Sequence, residues 1–510
     1  MATFLLGLPS NFDRAIFTLF PGERQTRLAL YWQDIWRATP KLTINYGVRW
    51  DYFGPVTPRK PGGIVNWDPD TGDLLLAGLG DVSNSANVRV NHDNFSPRLG
   101  IAYKLTQKSV IRAGFGRTYF GGNYDSVFYH LTSSYPIIAQ QTIQQTNTYL
   151  PIFPIEQGPP AAPSPEFPSS GHLKPPTGTL LKPRPFDWKT EQIDSWNLTV
   201  EHQLAHDLKL SVAYVGNVGR HLDWGSNINA APAGPGPLLE RRPYYQKFGL
   251  DQPINNLCNC MSSNYNSLQV VVEKRFSKGY SFNSSYTWAK ALDRELGGFG
   301  WSEQSINPYD ANGSYGISTY NRASVWTLGH SWQLPYGKGT PYGTNAIGMK
   351  KVLLAGWNFN GITTVESGFP ISPVLGDTST LNGDFGQRPD VVPGADLYAG
   401  GHTRERWFNP AAFAAPSACC RWGNAGRGLM RGPGLASADW SFWKEFAVRE
   451  QLRIQFRWEN FNFFNHANLG QPDNTVDSST AGRITSLAGA GSGFGYVPMR
   501  RMQFGLRMSW

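Results

Sequence analysis

Apolar and polar residues alternate strictly along much of this chain. Between Lys41 and Phe53, the side chains of Leu42, Ile44, Tyr46, Val48, Trp50 and Tyr52 fall on one side, and those of Thr43, Asn45, Gly47, Arg49 and Asp51 on the other. This is the period-two signature of a strand with one apolar and one wet face. At ~3.3 Å per residue and a tilt near 40°, about 13 residues rise roughly 33 Å, enough to cross the hydrocarbon core of a bilayer. The pattern recurs over 96–105, 111–119, 195–204, 208–214, 268–276, 280–288, 440–446, 452–458 and 502–510, and more weakly over 28–35, 324–334 and 354–365. About 13 strands are therefore predicted.

The links between these segments alternate too. Tight turns fall at 38–40, 106–108, 205–207, 277–279 and 447–449, with a longer one at 335–352. Long irregular stretches occupy roughly 54–94, 120–192, 216–263, 289–321, 366–435 and 461–500. Short turns at one end and long loops at the other are the plan of an antiparallel transmembrane β-barrel with periplasmic turns and extracellular loops. A soluble sandwich has no reason to collect its long loops at one end. Trp50, Tyr52, Tyr119, Tyr214, Trp288 and Trp458 lie near strand ends, where aromatic girdles meet the membrane interfaces.

Composition narrows the classes. Charged residues make up only 16% of the 510 residues and aromatics 14%, with 55 Gly and 37 Pro, which disfavours both a soluble helical enzyme and a disordered chain. No run of 18 or more apolar residues suggests a membrane-crossing helix. The net charge of +9 is scattered among the strand segments, so no nucleic-acid partner is expected. Four cysteines stand in two close pairs, Cys258/Cys260 and Cys419/Cys420. Oxidised loop staples are expected, their connectivity left open by the sequence.

If the short turns are periplasmic, the first visible strand and the thirteenth both descend, which leaves Trp510 in the periplasm. Phe504, Leu506, Met508 and Trp510 share the apolar side of the last strand and suggest a signal read by the barrel-assembly machinery. Single-chain barrels usually have even strand numbers. At least one ascending strand is therefore expected upstream, with Thr3 to Leu8 as its remnant. The wall is then a partial barrel, incompletely closed, with unpaired edges at its first and last strands.

Several runs carry a family likeness. Phe95-Ser-Pro-Arg-Leu-Gly-Ile-Ala-Tyr103, Asp194-Ser-Trp-Asn-Leu-Thr-Val-Glu-His-Gln-Leu204, Tyr265 to Phe276 followed by Tyr286-Thr-Trp-Ala-Lys290, Trp407-Phe-Asn-Pro-Ala-Ala-Phe413 and Phe461-Asn-Phe-Phe-Asn-His-Ala-Asn-Leu469 resemble the barrel of Oar-like TonB-dependent outer-membrane receptors. The resemblance spans nearly the whole chain. It implies that residues 1–510 are the C-terminal part of such a barrel, without signal peptide, accessory domain or plug. It also implies a role in taking up a bulky substrate across the outer membrane. TonB would be reached only through the plug region, and outer-membrane lipid would surround the wall. A passive pore formed by the barrel alone and a surface adhesion or structural role for the loops are the alternatives.

Signatures of catalysis are missing from the sequence, and neither an enzyme nor a cofactor is expected. His202 and His206 share the spacing of a metalloprotease pair but sit at a strand end and its turn, whereas that motif needs one helix face. Gly426-Arg427-Gly428 has no strand before it and no helix after it to aim amides at a phosphate. Two sets of candidate contacts remain. Arg49, Arg98, Arg112, Arg453, Arg457 and Arg507 face the wet side and suggest a basic lumen, unless they simply pair with Asp51, Glu201, Glu273 and Glu459. In the loops, Tyr244, Tyr245, Trp301, Tyr309, Tyr315, Trp407 and Phe408 suit a ligand-capturing mouth, or plain loop packing.

Overall fold

The computed structural model describes all residues except 1–7, 21, 122–130, 146–151, 295–308, 311, 338–339, 346, 377–386, 417–420, 450 and 489–497. Thirteen strands follow one another along a single antiparallel path: β1 (Arg27–Thr39), β2 (Leu42–Phe53), β3 (Phe95–Lys104), β4 (Ser109–Phe120), β5 (Glu191–Ala205), β6 (Leu208–Asn227), β7 (Asn255–Ser277), β8 (Tyr280–Asp293), β9 (Ser324–Gln333), β10 (Trp357–Glu366), β11 (Leu435–Ala447), β12 (Arg453–Phe461) and β13 (Arg501–Ser509). Gly316–Ile317 adds a short fourteenth strand against the end of β8. Each predicted segment is one of these strands. β6 and β7 run much further than the alternation suggested, over 20 and 23 residues. Their upper halves are rich in Gly, Asn and Ser, which hides the period. The loop expected at 216–263 accordingly shrinks to 228–254.

Cross-strand register keeps one face apolar through the wall. Trp50 stands opposite Leu30 and Phe95, Leu99 opposite Phe115, Leu198 opposite Ala113 and Tyr214, and Trp458 opposite Phe442 and Phe504. The Trp50 indole donates to the His92 carbonyl oxygen at 2.8 Å, while much of this face lies open: Leu198 is 50% exposed and Phe504 67%. Above it, Arg117 continues the outward row of Phe115 and donates to Asp194 at 2.6 Å, and Arg220 reaches the same carboxylate at 2.6 Å.

Burial is found instead in the long connections. One core gathers Val65, Trp67, Leu74, Leu76, Ile137, Leu181, Leu250 and Ile254 from three separate loops, and a second collects Ile64, Val88, Leu131 and Trp188 beside it. The helix α1 (Pro243–Phe248) lays Tyr244 and Phe248 against the first of these. A third core, within the β10–β11 connection, holds Ile371, Phe408, Ala412, Phe413 and Met430. Short two- and three-stranded pairings such as Val65–Trp67 with Leu74–Leu76 stitch these loops together.

At the opposite end the links are short, apart from the β9–β10 turn with its helix α2 (Gly348–Leu354). In the β5–β6 turn, Lys274 Nζ donates to Asp207 at 2.7 Å and the Ser277 hydroxyl donates to the same carboxylate, holding the Asp207 pKa down to about 2. An unfolded Asp titrates near 3.9, so this turn favours the native state above about pH 4 and loses that advantage as pH falls toward about 2. The acid limb of wild-type unfolding is therefore expected to be steeper than that of Asp207→Asn. Superimposable acid limbs, measured by urea denaturation in vesicles, would refute this.

β1 and β13 are each paired on one side only, and among the described residues the sheet does not close. The expected ascending remnant at Thr3–Leu8 lies, up to residue 7, outside the described residues. The chain just after it, Asn11–Phe17, pairs with Ile138–Gln144 from the β4–β5 connection rather than with β1. A loop strand competes successfully for that segment.

Candidate functional site

All six arginines singled out from the alternation lie on the polar face, but in two groups at opposite ends of the strand order. Arg49, Arg98 and Arg112 stand on the adjacent strands β2, β3 and β4, and Arg453, Arg457 and Arg507 on β12 and β13. Most are balanced. Arg49 pairs with Asp51 at 2.8 Å, Arg112 with Glu201 at 3.4 Å, Arg457 with Glu459 at 3.1 Å and Arg453 with Glu445 at 3.0 Å. Glu273 pairs instead with Lys209. The more exposed of these pairs, such as Arg453 with Glu445, contribute little stability, about 0–1 kcal/mol each. Arg98 and Arg507 make no ion pair among the described residues. The arginines thus form no continuous ring.

Around Arg98 the wall is hollowed. Its register partners on both sides are glycines, Gly47 on β2 and Gly116 on β4, and Gly100 and Gly114 stand opposite each other in the next polar row. With side chains missing there, a cavity of about 590 Å³ opens on the polar face, lined by Tyr31, Gln33, Asn45, Arg49, Arg98 and Thr118 among others. That is the size range of small-molecule pockets. Gly47 is sterically required, since a Cβ there would lie 2.6 Å from the Trp32 carbonyl oxygen. Sequence reading found Arg98 and Arg49 but not the glycine cluster that shapes the space beside them; the signal was the coincidence of Gly on three neighbouring strands.

The loop candidates divide differently. Phe408 is fully buried in the third loop core, and the Trp407 indole donates to the Arg431 carbonyl oxygen at 2.7 Å. Tyr244 sits edge-on to Trp67 with ring centroids 5.0 Å apart. Loop packing therefore accounts for these three, because the loops have cores of their own. Tyr245 is half-buried, while Tyr309 and Tyr315 are exposed, with the Tyr309 hydroxyl donating to the Ala230 carbonyl oxygen at 2.5 Å. Trp301 lies outside the described residues.

The cysteines correct another expectation. Cys258 and Cys260 form a disulfide inside strand β7 rather than in a loop; Cys419 and Cys420 lie outside the described residues. Phe504, Leu506 and Met508 lie together on the apolar face of the edge strand β13, the Phe504 ring stacked on Trp458, and Trp510 follows that strand, highly exposed.

A group of arginines that sequence reading did not single out as contacts stands at the long-loop end. Arg427 donates through Nη1 to both the carboxylate and the backbone oxygen of Asp293, the last residue of β8. This pair is buried. Arg388 donates to the Gly313 carbonyl oxygen at 2.6 Å. Burial and the neighbouring Arg427 push its guanidinium below the usual range, and Asp310 opposes them. Arg322 lies 3.3 Å over the Phe369 ring and pairs with Glu366 at 3.2 Å. The Gly426-Arg427-Gly428 run, unremarkable as a phosphate loop, works as a close-packing device: Gly428 has φ +64 and its Cβ position abuts Ile317. These arginines tie the long loops to the strand tops, Arg427 through its buried pair with Asp293 at the end of β8 and Arg322 through Glu366 at the end of β10. Among the described residues, no group of three or more His, Cys, Asp or Glu side chains could hold a metal ion.

A family model described as an outer membrane beta barrel domain matches residues 1–503. No curated protein matches the chain in sequence. Solved structures with a similar course include the Pseudomonas aeruginosa ferripyoverdine receptor bound to ferripyoverdine, 10% identical over 96% of this chain and 39% of that one, with a TM-score of 0.44. The outer membrane transporter YddB from Escherichia coli is 12% identical over 96% and 55%, at 0.45. The siderophore receptor PiuA from Acinetobacter baumannii is 9% identical over 96% and 44%, at 0.41. The chain spans less than two thirds of the length of each.

Proposed function

Because the chain belongs to the outer membrane beta barrel domain family, and so to the bacterial outer membrane, we propose that its thirteen strands are a sector of a TonB-dependent transporter wall of the Oar-like kind. In this reading the apolar face contacts lipid, the polar face lines a lumen, and the long loops form the extracellular mouth for a bulky substrate whose identity is open. The observation that carries the reading is the unclosed sheet. Thirteen alternating strands leave β1 and β13 running in the same direction, so antiparallel closure needs an odd number of further strands. A wall wider than this one belongs with large barrels, whose lumen is an open channel or is plugged. A plug would rest on the polar face, and TonB would act through it. β13, with its outward Phe504, Leu506 and Met508, is the edge that the assembly machinery would engage.

The alternative, a passive pore, requires the thirteen strands to close on themselves. Cysteines replacing Gln33 on β1 and Gln503 on β13 test this on the polar side of both edges. No intramolecular cross-link between them is expected in the membrane-inserted chain, and no uniform conductance steps in planar bilayers. Efficient cross-linking together with uniform steps would reject the transporter sector in favour of the pore.

A further inference from the structure

We propose that the β9–β10 turn is an interfacial anchor that seats the helix α2 in the periplasmic leaflet of the outer membrane and holds anionic phospholipid headgroups. Among the described residues, this turn alone of the short-turn connections carries a helix, and the helix has no buried residue. Seven residues are too few to hold a helix in water unaided. Its support comes from the lipid-facing side of the wall: Lys444 Nζ donates to the Val352 and Lys351 carbonyl oxygens, and the Trp357 indole donates to the Leu353 carbonyl oxygen at 2.7 Å. Both donors point outward, since Lys444 and Trp357 are register partners in the apolar rows and the Trp357 ring meets Phe456 edge-on at 6.2 Å. The helix is thereby placed outside the wall, at the rim of the apolar band.

What the helix presents there is greasy. Ile347 is 82% exposed, Met349 73% and Leu353 59%, with Val352 and Leu354 also bare. Met349, Val352 and Leu353, at i, i+3 and i+4, share one face. Lys350 and Lys351 lie off that face and are exposed. An apolar face flanked by lysines, continuous with a lipid-facing wall, matches an interfacial helix that meets acyl chains on one side and anionic headgroups on the other.

The test uses the full chain with its four native cysteines changed to Ser and an environment-sensitive fluorophore on Leu353→Cys, reconstituted in phosphatidylethanolamine–phosphatidylglycerol vesicles. Heat-modifiable mobility confirms insertion of every variant, so a folding failure is read separately. The expected result is a blue-shifted emission, quenched by a nitroxide carried high on the lipid chains, while the same probe on Thr344→Cys in the same turn stays in water. Lys350→Gln with Lys351→Gln should remove the dependence of the blue shift on phosphatidylglycerol. Emission at 353 as aqueous as at 344 would overturn the proposal. So would a blue shift that the lipid-borne quencher leaves untouched, which would assign the face to a second copy of the chain.

Discussion

Leu198→Arg is expected to lower the stability of the membrane-inserted wall by about 2–4 kcal/mol, the cost of a cation facing lipid near the bilayer midplane. Leu198 sits at the middle of β5, half exposed, with Ala113 on one side and Tyr214 on the other. No acidic side chain stands in its row on either neighbouring strand. The adjacent Asn197 points the opposite way, opposite Gly114 and Val215. Arg at 197 gains water rather than hydrocarbon and should change stability by no more than about 0.5 kcal/mol, as surface substitutions do. Urea titration of both variants in vesicles, followed by heat-modifiable mobility, separates the two faces directly. Equal destabilisation by both would mean that the apolar face is not turned to lipid.

A second large effect is expected far from lipid. Phe408→Ala should cost the third loop core about 3–5 kcal/mol, because it empties a fully enclosed aromatic site. Phe408 meets Phe413 edge-on at 6.1 Å and shares the core with Ile371, Ala412 and Met430. Its flanks are pinned by the backbone bonds from Trp407 to Gly482 and from Asn409 to Leu397, both 2.8 Å. The wall beneath should persist, since its hydrogen bonds run between strands. Limited proteolysis and amide exchange should therefore show opening within 367–434 while mobility on gels still reports an inserted wall. Loss of the inserted form together with the loops would show that loop core and wall fold as one unit.

These expectations rest on features of unequal legibility in the chain. A strand one side of which faces lipid must alternate, and so all thirteen wall strands could be found from single residues such as Leu42, Leu198 and Phe504. Beyond the bilayer that constraint lapses, and the upper parts of β6 and β7, with Gly216, Gly219, Ser262 and Ser263, lost their period although the ladder continued. The loop cores left no local trace at all. Trp67 meets Tyr244 across a long sequence interval, and nothing near either residue announces the other. Ligand contact and loop packing could not be told apart at Phe408 and Trp407 for the same reason: burial is decided by partners elsewhere in the chain. The arginines at the long-loop end followed the same logic, since Arg427 gains meaning only from Asp293 at the top of β8.

The outward pairing of Arg117, Asp194 and Arg220 has a consequence for where the molecule floats. From Asp194 down to Leu204 the strand climbs roughly 25 Å at ~3.3 Å per residue and ~40° tilt, matching the height of the apolar belt that such walls need. Charged side chains turned outward at that level draw a waterline on the protein. Everything above it, the upper β6–β7 hairpin and all three loop cores included, would stand clear of the bilayer as a superstructure, with cores of its own that can loosen without unsettling the hull below.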